Sequence, residues 1–464
     1  MKQNPPNLGI DHDPVRHPEG CQPGLDCDQW LIENAQIYHS ESDQFQSGSV
    51  LLADGNIQAV GTIDSAASAQ IPDAQRLDAQ GQWLIPGLVD GWARLREPGA
   101  EHKATIATES AAAVASGITT LCVPPDTDPI LDTVAVARFI KRRAQLAGRA
   151  RVVCIGAMSQ QLEGMLLSEM AALHEGGCVA ISNADAAFAD LALLRRALEY
   201  GATFDLTLVL TVNDASLSRR GCAHEGMVAT RLGLPGIPIS AETAPLAQLI
   251  ALLEDTPARV HINQVSCAAS VALIRAAQQR GIPITAGVSI HHLWLTQMDI
   301  DALDPNTHVI PPLRTERDRS ALRQGLIDGV LNSIISDHQP HEPDAKLAPF
   351  AETQPGISGL NSLLPLALKL VEDEILPLGV VMAALTTHPA NHYGLDNTGV
   401  IRSGYRADLT LVDPDAMYQI IETPYFSAGE NSPFLGWDFA HQVDKTWVNG
   451  KLVFNRQQHA TGHL

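Results

Sequence analysis

Residues 86–99 read Pro-Gly-Leu-Val-Asp-Gly-Trp-Ala-Arg-Leu-Arg-Glu-Pro-Gly. The apolar part of this stretch begins at Trp83, and a short apolar run beside turn residues is typical of a buried strand. We therefore predict a strand near Trp83–Trp92. The charged residues Arg94, Arg96 and Glu97 follow it directly, so they would lie just beyond its carboxyl end.

Apolar runs of the same kind recur along the middle of the chain and alternate with helical stretches. The further predicted strands are Gly117–Val123, Arg151–Met158, Cys178–Ser182, Leu206–Val212, Arg259–Val265, Ile282–Val288 and Leu331–Asp337. Eight strands with intervening helices fit an α/β fold of the closed (β/α)8 TIM-like type better than an open doubly wound sheet. The chain contains neither Gly-x-Gly-x-x-Gly opening a helix nor Gly-Lys-Ser/Thr, so nothing supports a nucleotide-binding fold.

Short alternating segments at both ends of the chain are typical of strands joined by tight turns. These segments are Ile32–Tyr38, Ser49–Ala53, Ile57–Val60, Ala407–Val412 and Lys445–Val453. Asp54-Gly55, between two of them, is a hairpin signal. We predict one small β-sandwich built from residues 28–84 and 399–464, the latter including a carboxyl-terminal tail, around a barrel of residues 85–398.

Residues 1–27 contain many Pro, Gly, His and Asp residues without periodicity, so we predict a flexible extension. A metal site could be drawn there from His12, His17, Cys21 and Cys27. Their spacing matches no zinc finger or ribbon, and we favour the unstructured extension.

The 464 residues carry a net charge of −21. This acidity argues against nucleic acid or an anionic membrane as a partner, because both require a basic surface. The seven cysteines are scattered without a Cys-x-x-Cys pair, which indicates reduced thiols. Neither a signal peptide nor an apolar run long enough to span a bilayer is evident. We expect a cytoplasmic protein.

Motifs along nearly the whole chain after residue 28 resemble those of the cyclic amidohydrolases, dihydroorotase above all. In that family the first barrel strand ends in Asp-x-His-x-His-Leu-Arg-Glu-Pro-Gly, of which this chain keeps Asp90 and Leu95–Gly99. Further matching segments are Gly117–Thr120, Leu232–Pro238, Ala241-Glu242, His291–Leu293, Pro311–Arg314, Asp337–His341 and Pro355–Leu360. The resemblance implies an amidohydrolase-type barrel whose chemistry lies at the carboxyl ends of the strands, with a small sandwich made from both chain ends.

The positions that hold metal in this family carry other residues here. The replaced positions are Trp92, Arg94, Asn183, Thr211 and Gln264. Indole has no lone pair for a metal, and guanidinium stays protonated. Only Asp337 is kept, and catalytic zinc needs three protein ligands. The zinc of active relatives is therefore expected to be absent, with a rewired site at His291, His292, His338 or His341 as the alternative.

The substrate-binding positions of the family are only half kept. Arg96 stands where the family's arginine binds the substrate carboxylate, and His341 matches another ligand contact. Asp126 replaces an asparagine whose amide helps to bind the substrate, and a carboxylate there would repel the ligand. Ile310 replaces a second asparagine. We interpret these binding positions as vestigial, and we favour a structural salt bridge for Arg96 over ligand binding.

The first and eighth strands become neighbours when a barrel closes, so Arg94 and Asp337 should face each other. Leaving one charge of a buried pair alone costs about 3–5 kcal/mol. We predict that Arg94 neutralises Asp337 at a separation of no more than about 4 Å, and that Trp92 fills the volume that metals occupy in the family. The alternative is that Arg94 points to solvent and Asp337 accepts hydrogen bonds from its loop.

Functions of different classes follow from the resemblance. The first is a catalytically inactive dihydroorotase-like subunit of pyrimidine biosynthesis. Inactive homologues of this kind are associated with the aspartate transcarbamoylase catalytic chain in larger assemblies, which implies a hetero-oligomer with homodimer contacts. The alternative is an active metal-dependent cyclic amidohydrolase of the dihydroorotase, hydantoinase or allantoinase type. A third possibility is a metal-free pocket that senses a pyrimidine intermediate through Arg96 and His341.

Overall fold

The structure is a computed structural model that describes residues 29–64, 69, 71–188, 190–421 and 426–460. The predicted flexible extension, residues 1–27, lies outside the described residues. The strands in chain order are β1 (Trp30–His39), β2 (Gln44–Ala53), β3 (Asn56–Gly61), β4 (Arg76–Asp78), β5 (Trp83–Pro86), β6 (Leu88–Asp90), β7 (Ile118–Val123), β8 (Arg151–Ala157), β9 (Cys178–Ser182), β10 (Leu208–Leu210), β11 (Ala223–His224), β12 (Gly236–Ile237), β13 (Val260–Ile262), β14 (Ile284–Ser289), β15 (Ser333–Ile335), β16 (Leu409–Gln419), β17 (Asp438–Val448) and β18 (Lys451–Asn455).

Helices follow most of the barrel strands. They are α1 (Ile106–Ala115), α2 (Val134–Ala147), α3 (Met170–Glu175), α4 (Leu191–Thr203), α5 (Ala215–Ser218), α6 (Met227–Leu232), α7 (Ser240–Asp255), α8 (Ala268–Gln279), α9 (Glu316–Ile327), α10 (Leu360–Glu372), α11 (Leu378–Leu385), α12 (Thr387–His392) and α13 (Arg456–Ala460). In the ranges given above, no helix combines the length and apolar character needed to cross a membrane.

The barrel is an eight-stranded parallel sheet in the order β6-β7-β8-β9-β10-β13-β14-β15. Its two edge strands approach each other just beyond their ends, where Ala93 and His338 form a parallel bridge and the Arg94 amide donates to the His338 carbonyl at 3.0 Å. All eight predicted barrel strands are present, and the prediction of a TIM-like barrel is confirmed.

The small sheet joins strands from both chain ends in one hydrogen-bonded path, β18-β17-β16-β5-β1-β2-β3, with β4 beside β1. Its two halves share a buried apolar cluster that contains Ile37, Val50 and Trp447. The predicted hairpin lies between β2 and β3, where Asp54 and Gly55 have φ of 51° and 75°. The predicted small β-sandwich from both chain ends is confirmed as a unit built from both ends, in which the strands form one continuous hydrogen-bonded sheet.

The predicted single strand Trp83–Trp92 is wrong, because two strands occupy this run. β5 pairs with β1 and β16 in the small sheet, whereas β6 pairs with β7 in the barrel. The chain changes sheets at Gly87, against which Thr119 packs so closely that a Cβ would lie 2.2 Å from the Thr119 methyl group. Glycine is required for this close approach, and the apolar pattern alone does not reveal the change of sheet.

The barrel interior is apolar on one side and polar on the other. The apolar side is a buried cluster of Trp92 with Cys122, Val153, Ile155, Ala180, Val209, Ile335 and Tyr393. On β13 and β14 the alternate residues Val260, Ile262, Ala286 and Val288 pack outward into the main core. Because strand residues alternate between faces, His261, Asn263 and Ser289 point into the barrel. Trp92 therefore packs into the barrel interior just beyond the carboxyl end of β6.

Candidate functional site

Four loops at the carboxyl ends of barrel strands bring one cation and three carboxylates together. Arg94 follows β6, Asp126 follows β7, Asp185 follows β9, and Asp337 follows β15. In barrels of this type the catalytic groups lie at this end of the strands. This group of four residues, called here the Arg94 cluster, occupies the place where the family chemistry is expected.

The guanidinium of Arg94 contacts all three carboxylates. Its Nε donates to Asp126 Oδ2 at 2.6 Å and its Nη2 to Asp185 Oδ2 at 2.8 Å. Its Nη1 lies 3.6 Å from Asp337 Oδ1, which is within ion-pair distance. The side chain of Arg94 is only 6% exposed and that of Asp337 only 2%. The predicted Arg94–Asp337 pair is confirmed, and the alternative of an outward-pointing Arg94 is wrong.

Sequence reasoning misses the two closer partners of Arg94. The sequence predicts that Asp126 repels a ligand, but its carboxylate accepts a hydrogen bond from Arg94 instead. No sequence motif points to Asp185, although it follows Asn183 by only two residues in the same loop. The signal that could have found both is the excess of acidic side chains over cations at the carboxyl ends of the first four strands.

Burial and charge oppose each other in the Arg94 cluster. Burial raises the pKa of Asp337 to about 7, although the nearby Arg94 limits the rise. Burial also disfavours the charged form of Arg94, but the three carboxylates outweigh it and hold the pKa of Arg94 above its ordinary value. Arg94 therefore stays a cation at every working pH, whereas Asp337 gains and loses its proton near neutrality.

Trp92 is fully buried in the apolar cluster of the barrel interior. The Arg94 guanidinium carbon lies 5.7 Å from the centroid of its ring, close enough for a cation–π contact. The Trp92 ring and the Arg94 guanidinium thus lie against each other just beyond the carboxyl end of β6. Trp92 thus fills space inside the barrel, and its filling of the volume that metals occupy in the family stays a prediction.

The other replaced positions have neutral polar side chains. Asn183 accepts from Ser159 Oγ at 2.6 Å and donates from Nδ2 to the Ala186 carbonyl at 2.8 Å. For Thr211 Oγ1 and Gln264 Nε2, no hydrogen-bond partner occurs within the described part of the chain. Asn183 therefore organises a loop. Thr211 and Gln264, at the ends of β10 and β13, each have a buried polar atom without a hydrogen-bond partner among the described residues.

Arg96 and His341 lie together at the edge of this site, 3.3 Å apart between Nη2 and Nε2. Arg96 Nε donates to the Pro340 carbonyl at 3.0 Å. Burial, followed by the neighbouring Arg94, lowers the pKa of Arg96 to about 10. Among the residues that the structure describes, Arg96 has no carboxylate within 4.0 Å. The interpretation of Arg96 as half of a salt bridge is therefore wrong.

His341 is held as a neutral ring. Its Nδ1 lies 3.0 Å from Lys103 Nζ, and its Nε2 lies 3.0 Å from the Pro355 carbonyl. An ammonium can only donate and a carbonyl can only accept, so Nδ1 accepts from Lys103 and Nε2 carries the proton. Burial and the adjacent Arg96 lower the pKa of His341 to about 3.

The histidines considered for a rewired metal site lie in separate environments. His338 Nε2 contacts Glu109 at 2.8 Å while its Nδ1 accepts from the Gly359 amide at 3.1 Å. His291 and His292 are buried with ring centroids 4.6 Å apart. Within the described ranges, no group of three His, Cys, Asp or Glu side chains could hold a metal ion. With a guanidinium among the carboxylates as well, these residues do not fit zinc.

A cavity of about 130 Å³ lies beside the Arg94 cluster, lined in part by Arg94, Arg96 and Asp126. Pockets for small-molecule ligands usually measure about 300–1,000 Å³. A larger cavity of about 320 Å³ lies away from the strand ends, between α10 and the small sheet. The cavity beside the Arg94 cluster is therefore smaller than a usual ligand pocket.

Comparisons with known proteins agree with this architecture. The family described as "Dihydro-orotase-like" matches residues 81–270, and the "Amidohydrolase family" matches residues 248–453. A "Dihydroorotase-like protein" of Pseudomonas aeruginosa is 45% identical over 91% of this chain and 98% of its own length. A "Dihydroorotase-like protein" of Pseudomonas putida is 43% identical over 91% of this chain and 98% of its own length.

Other relatives are named as enzymes. A "Dihydroorotase" of Desulforapulum autotrophicum is 38% identical over 88% of this chain and 95% of its own length. The solved L-hydantoinase (dihydropyrimidinase) of Arthrobacter aurescens is 21% identical, covers 92% of this chain and 96% of its own, and superposes with a TM-score of 0.80. The chain therefore belongs to the dihydroorotase-like proteins of the amidohydrolase family.

Proposed function

We propose that this chain is a catalytically inactive, dihydroorotase-like subunit of pyrimidine biosynthesis that supports the assembly or stability of aspartate transcarbamoylase. The observation that carries the loss of catalysis is the Arg94 guanidinium, which lies within 3.6 Å of three carboxylates at the carboxyl end of the barrel. A permanent cation there pairs with these carboxylates, which are then not available to bind a metal or to act as a general base.

The chemistry of the remaining groups supports this proposal. Hydrolysis of a cyclic amide requires an activated water, which a catalytic zinc with three protein ligands supplies in active relatives. Here Trp92 is packed into the interior, Arg94 is bound to carboxylates, and Asn183 is hydrogen-bonded to its own loop. Thr211 and Gln264 are neutral. None of these five side chains replaces a lost ligand.

The retained fold supports a role in binding rather than in catalysis. Both the barrel and the small sheet are fully formed and share a continuous apolar core, while the catalytic positions have changed type. The proposed partner, the aspartate transcarbamoylase catalytic chain, comes from the resemblance to inactive members of the family. Recognition of the partner would take place on the outer surface of this fold.

The test combines three measurements on the purified full chain. Elemental analysis is expected to find far less than one zinc or manganese per chain, and dihydroorotate turnover is expected to be absent in both directions. Co-expressed aspartate transcarbamoylase is expected to elute with this chain at a larger size than either protein alone. The dihydroorotase of Desulforapulum autotrophicum serves as the control for the activity assay.

Two results would contradict the proposal separately. Stoichiometric metal with turnover that a chelator abolishes would favour the metal-dependent hydrolase. A transcarbamoylase that elutes at the same size and has the same activity without this chain would remove the structural role.

A further inference from the structure

We propose that the loop following β8, residues 158–169, docks the partner protein through an apolar centre at Met165 and Leu166 inside an acidic rim. This inference rests on the proposed function, because it assigns a surface to the partner proposed there. The loop lies at the same end of the barrel as the Arg94 cluster.

The centre of this surface is apolar and solvent-exposed. Met165 is 61% exposed and Leu166 is 64% exposed, although Gly164 before them is buried and Leu167 after them is half-buried. The loop is folded against itself, since Gln160 N donates to the Leu166 carbonyl at 2.9 Å and Ser159 bridges to Leu167. Contiguous exposed apolar surface with a polar rim marks protein-interaction sites, and Met165 and Leu166 are adjacent in the chain.

Asn183, one of the replaced catalytic positions, fixes this loop. Its Oδ1 accepts from Ser159 Oγ at 2.6 Å, and Ser159 Oγ in turn accepts from the Gly164 amide at 3.0 Å. Asn183 Nδ2 also donates to the Ala186 carbonyl at 2.8 Å. An amide can accept and donate at once, which an ionised carboxylate cannot do. The replacement therefore gives this residue a role in holding the loop.

The inner side of the loop covers the barrel. Leu162 packs against the apolar cluster that contains Trp92. Gly164, with φ of +66°, approaches the next loop so closely that a Cβ would lie 2.1 Å from the Ala187 carbonyl oxygen. The loop thus seals the side of the barrel filled by Trp92, and the opposite side of the same loop presents Met165 and Leu166.

The charges around this centre determine what can bind. Residues 152–194 contain no Lys or Arg, and Glu163, Glu169, Asp185 and Asp190 are exposed. Among these four, Asp185 is bound to Arg94. An acidic rim favours a protein with Lys or Arg around an apolar contact, and it disfavours a second copy of this chain, an anionic membrane or a nucleic acid.

The test uses the full chain with Met165→Glu and Leu166→Glu, singly and together, and measures complex formation with the transcarbamoylase catalytic chain by sedimentation velocity and biolayer interferometry. The double variant is expected to weaken binding at least about tenfold, because a charge at an apolar contact is costly. Leu146→Glu is the matched control: Leu146 is 70% exposed but lies at the end of α2, which returns to the opposite end of the barrel. It is expected to bind like the unmodified chain.

Glu163→Gln tests the rim, because removal of a peripheral charge is expected to slow association and to reduce its dependence on salt. Unchanged binding by the double variant would overturn the assigned surface while leaving the proposed function in place. Equal weakening by Leu146→Glu would also overturn it. If the unmodified chain forms no complex, the proposed function fails, and this inference fails with it.

Discussion

A guanidinium suits the position of Arg94 because it offers several N–H donors in a fixed plane and keeps its charge at any pH. Each of its three nitrogens faces a different carboxylate, with separations of 2.6, 2.8 and 3.6 Å. These carboxylates belong to loops after three different strands. Arg94 therefore connects the first, second, fourth and eighth barrel strands through one side chain.

Replacing Arg94 by Met should destabilise the fold strongly, because it leaves the buried Asp337 carboxylate without its cation. We expect the free energy of unfolding to fall by about 3 kcal/mol or more, measured by urea denaturation at pH 8. The control is Arg231→Met, since Arg231 and Asp301 form an exposed pair whose loss should cost less than about 1 kcal/mol. Equal, small effects of the two substitutions would contradict a structural role for Arg94.

Asp337 should make stability depend on pH in a direction unusual for an aspartate. Its pKa rises from 3.8 to about 7 on folding, mainly through burial. The native state therefore binds the proton more tightly than the unfolded state. The contribution of Asp337 to the free energy of unfolding falls as pH rises from about 4 to 7. The loss approaches about 4 kcal/mol at most, because each tenfold difference in proton affinity between the two states corresponds to about 1.4 kcal/mol. Across this range, the stability of Asp337→Asn measured by urea denaturation should increase more with rising pH than that of the unmodified chain, because the substitution removes the opposing contribution of Asp337. Parallel pH profiles would contradict this.

At the scale of elements, the sequence predicts the strands well and their assignment to sheets less well. Apolar runs rich in β-branched residues locate all eight barrel strands. The apolar signal alone does not separate β5 from β6, because only Pro86-Gly87 interrupts the run, and the chain changes sheets at Gly87, packed on Thr119. Pairing partners depend on contacts between residues far apart in the chain.

The candidate site shows the same limit. Adjacency of the first and eighth strands follows from barrel closure, so the Arg94–Asp337 pair is predictable from the sequence. The partners Asp126 and Asp185 depend on how two loops fold back over the barrel, which no local pattern specifies. The hydrogen bonds of Asn183 to Ser159 and Ala186 are likewise properties of the loop fold.

The loop after β8 should tolerate little change at Gly164. This glycine has φ of +66° and touches the Ala187 carbonyl, whereas Gly281 has φ of +80° with open space around it. Gly281→Ala should cost only the backbone penalty of about 1–2 kcal/mol. Gly164→Ala should cost more and should also open the loop to cleavage by chymotrypsin, measured beside urea denaturation. Equal losses of stability with unchanged cleavage would show that the contact with Ala187 is unimportant.

At the scale of the whole molecule, several buried histidines should make the protein sensitive to acid. Burial lowers the pKa values of His292, His308 and His392 to about 4 and those of His261 and His291 well below their ordinary range. The unfolded chain binds these protons near pH 6.5 while the folded chain does not, so stability should be lost as pH falls from about 6.5 towards 4.

We expect urea denaturation at intervals between pH 5 and 6.5 to show a free energy of unfolding that rises with pH. The slope of this free energy against pH should correspond to uptake of more than two protons on unfolding. Each proton contributes about 1.4 kcal/mol per pH unit, and Asp337 opposes the trend by at most one proton. His308→Gln should reduce the slope because it removes one buried ring that contacts Thr353. Substitution of His102, whose side chain is 65% exposed, is the control for replacing a surface histidine. Stability that is independent of pH in this range would mean that the buried rings accept protons in the folded state, through partners other than those named above.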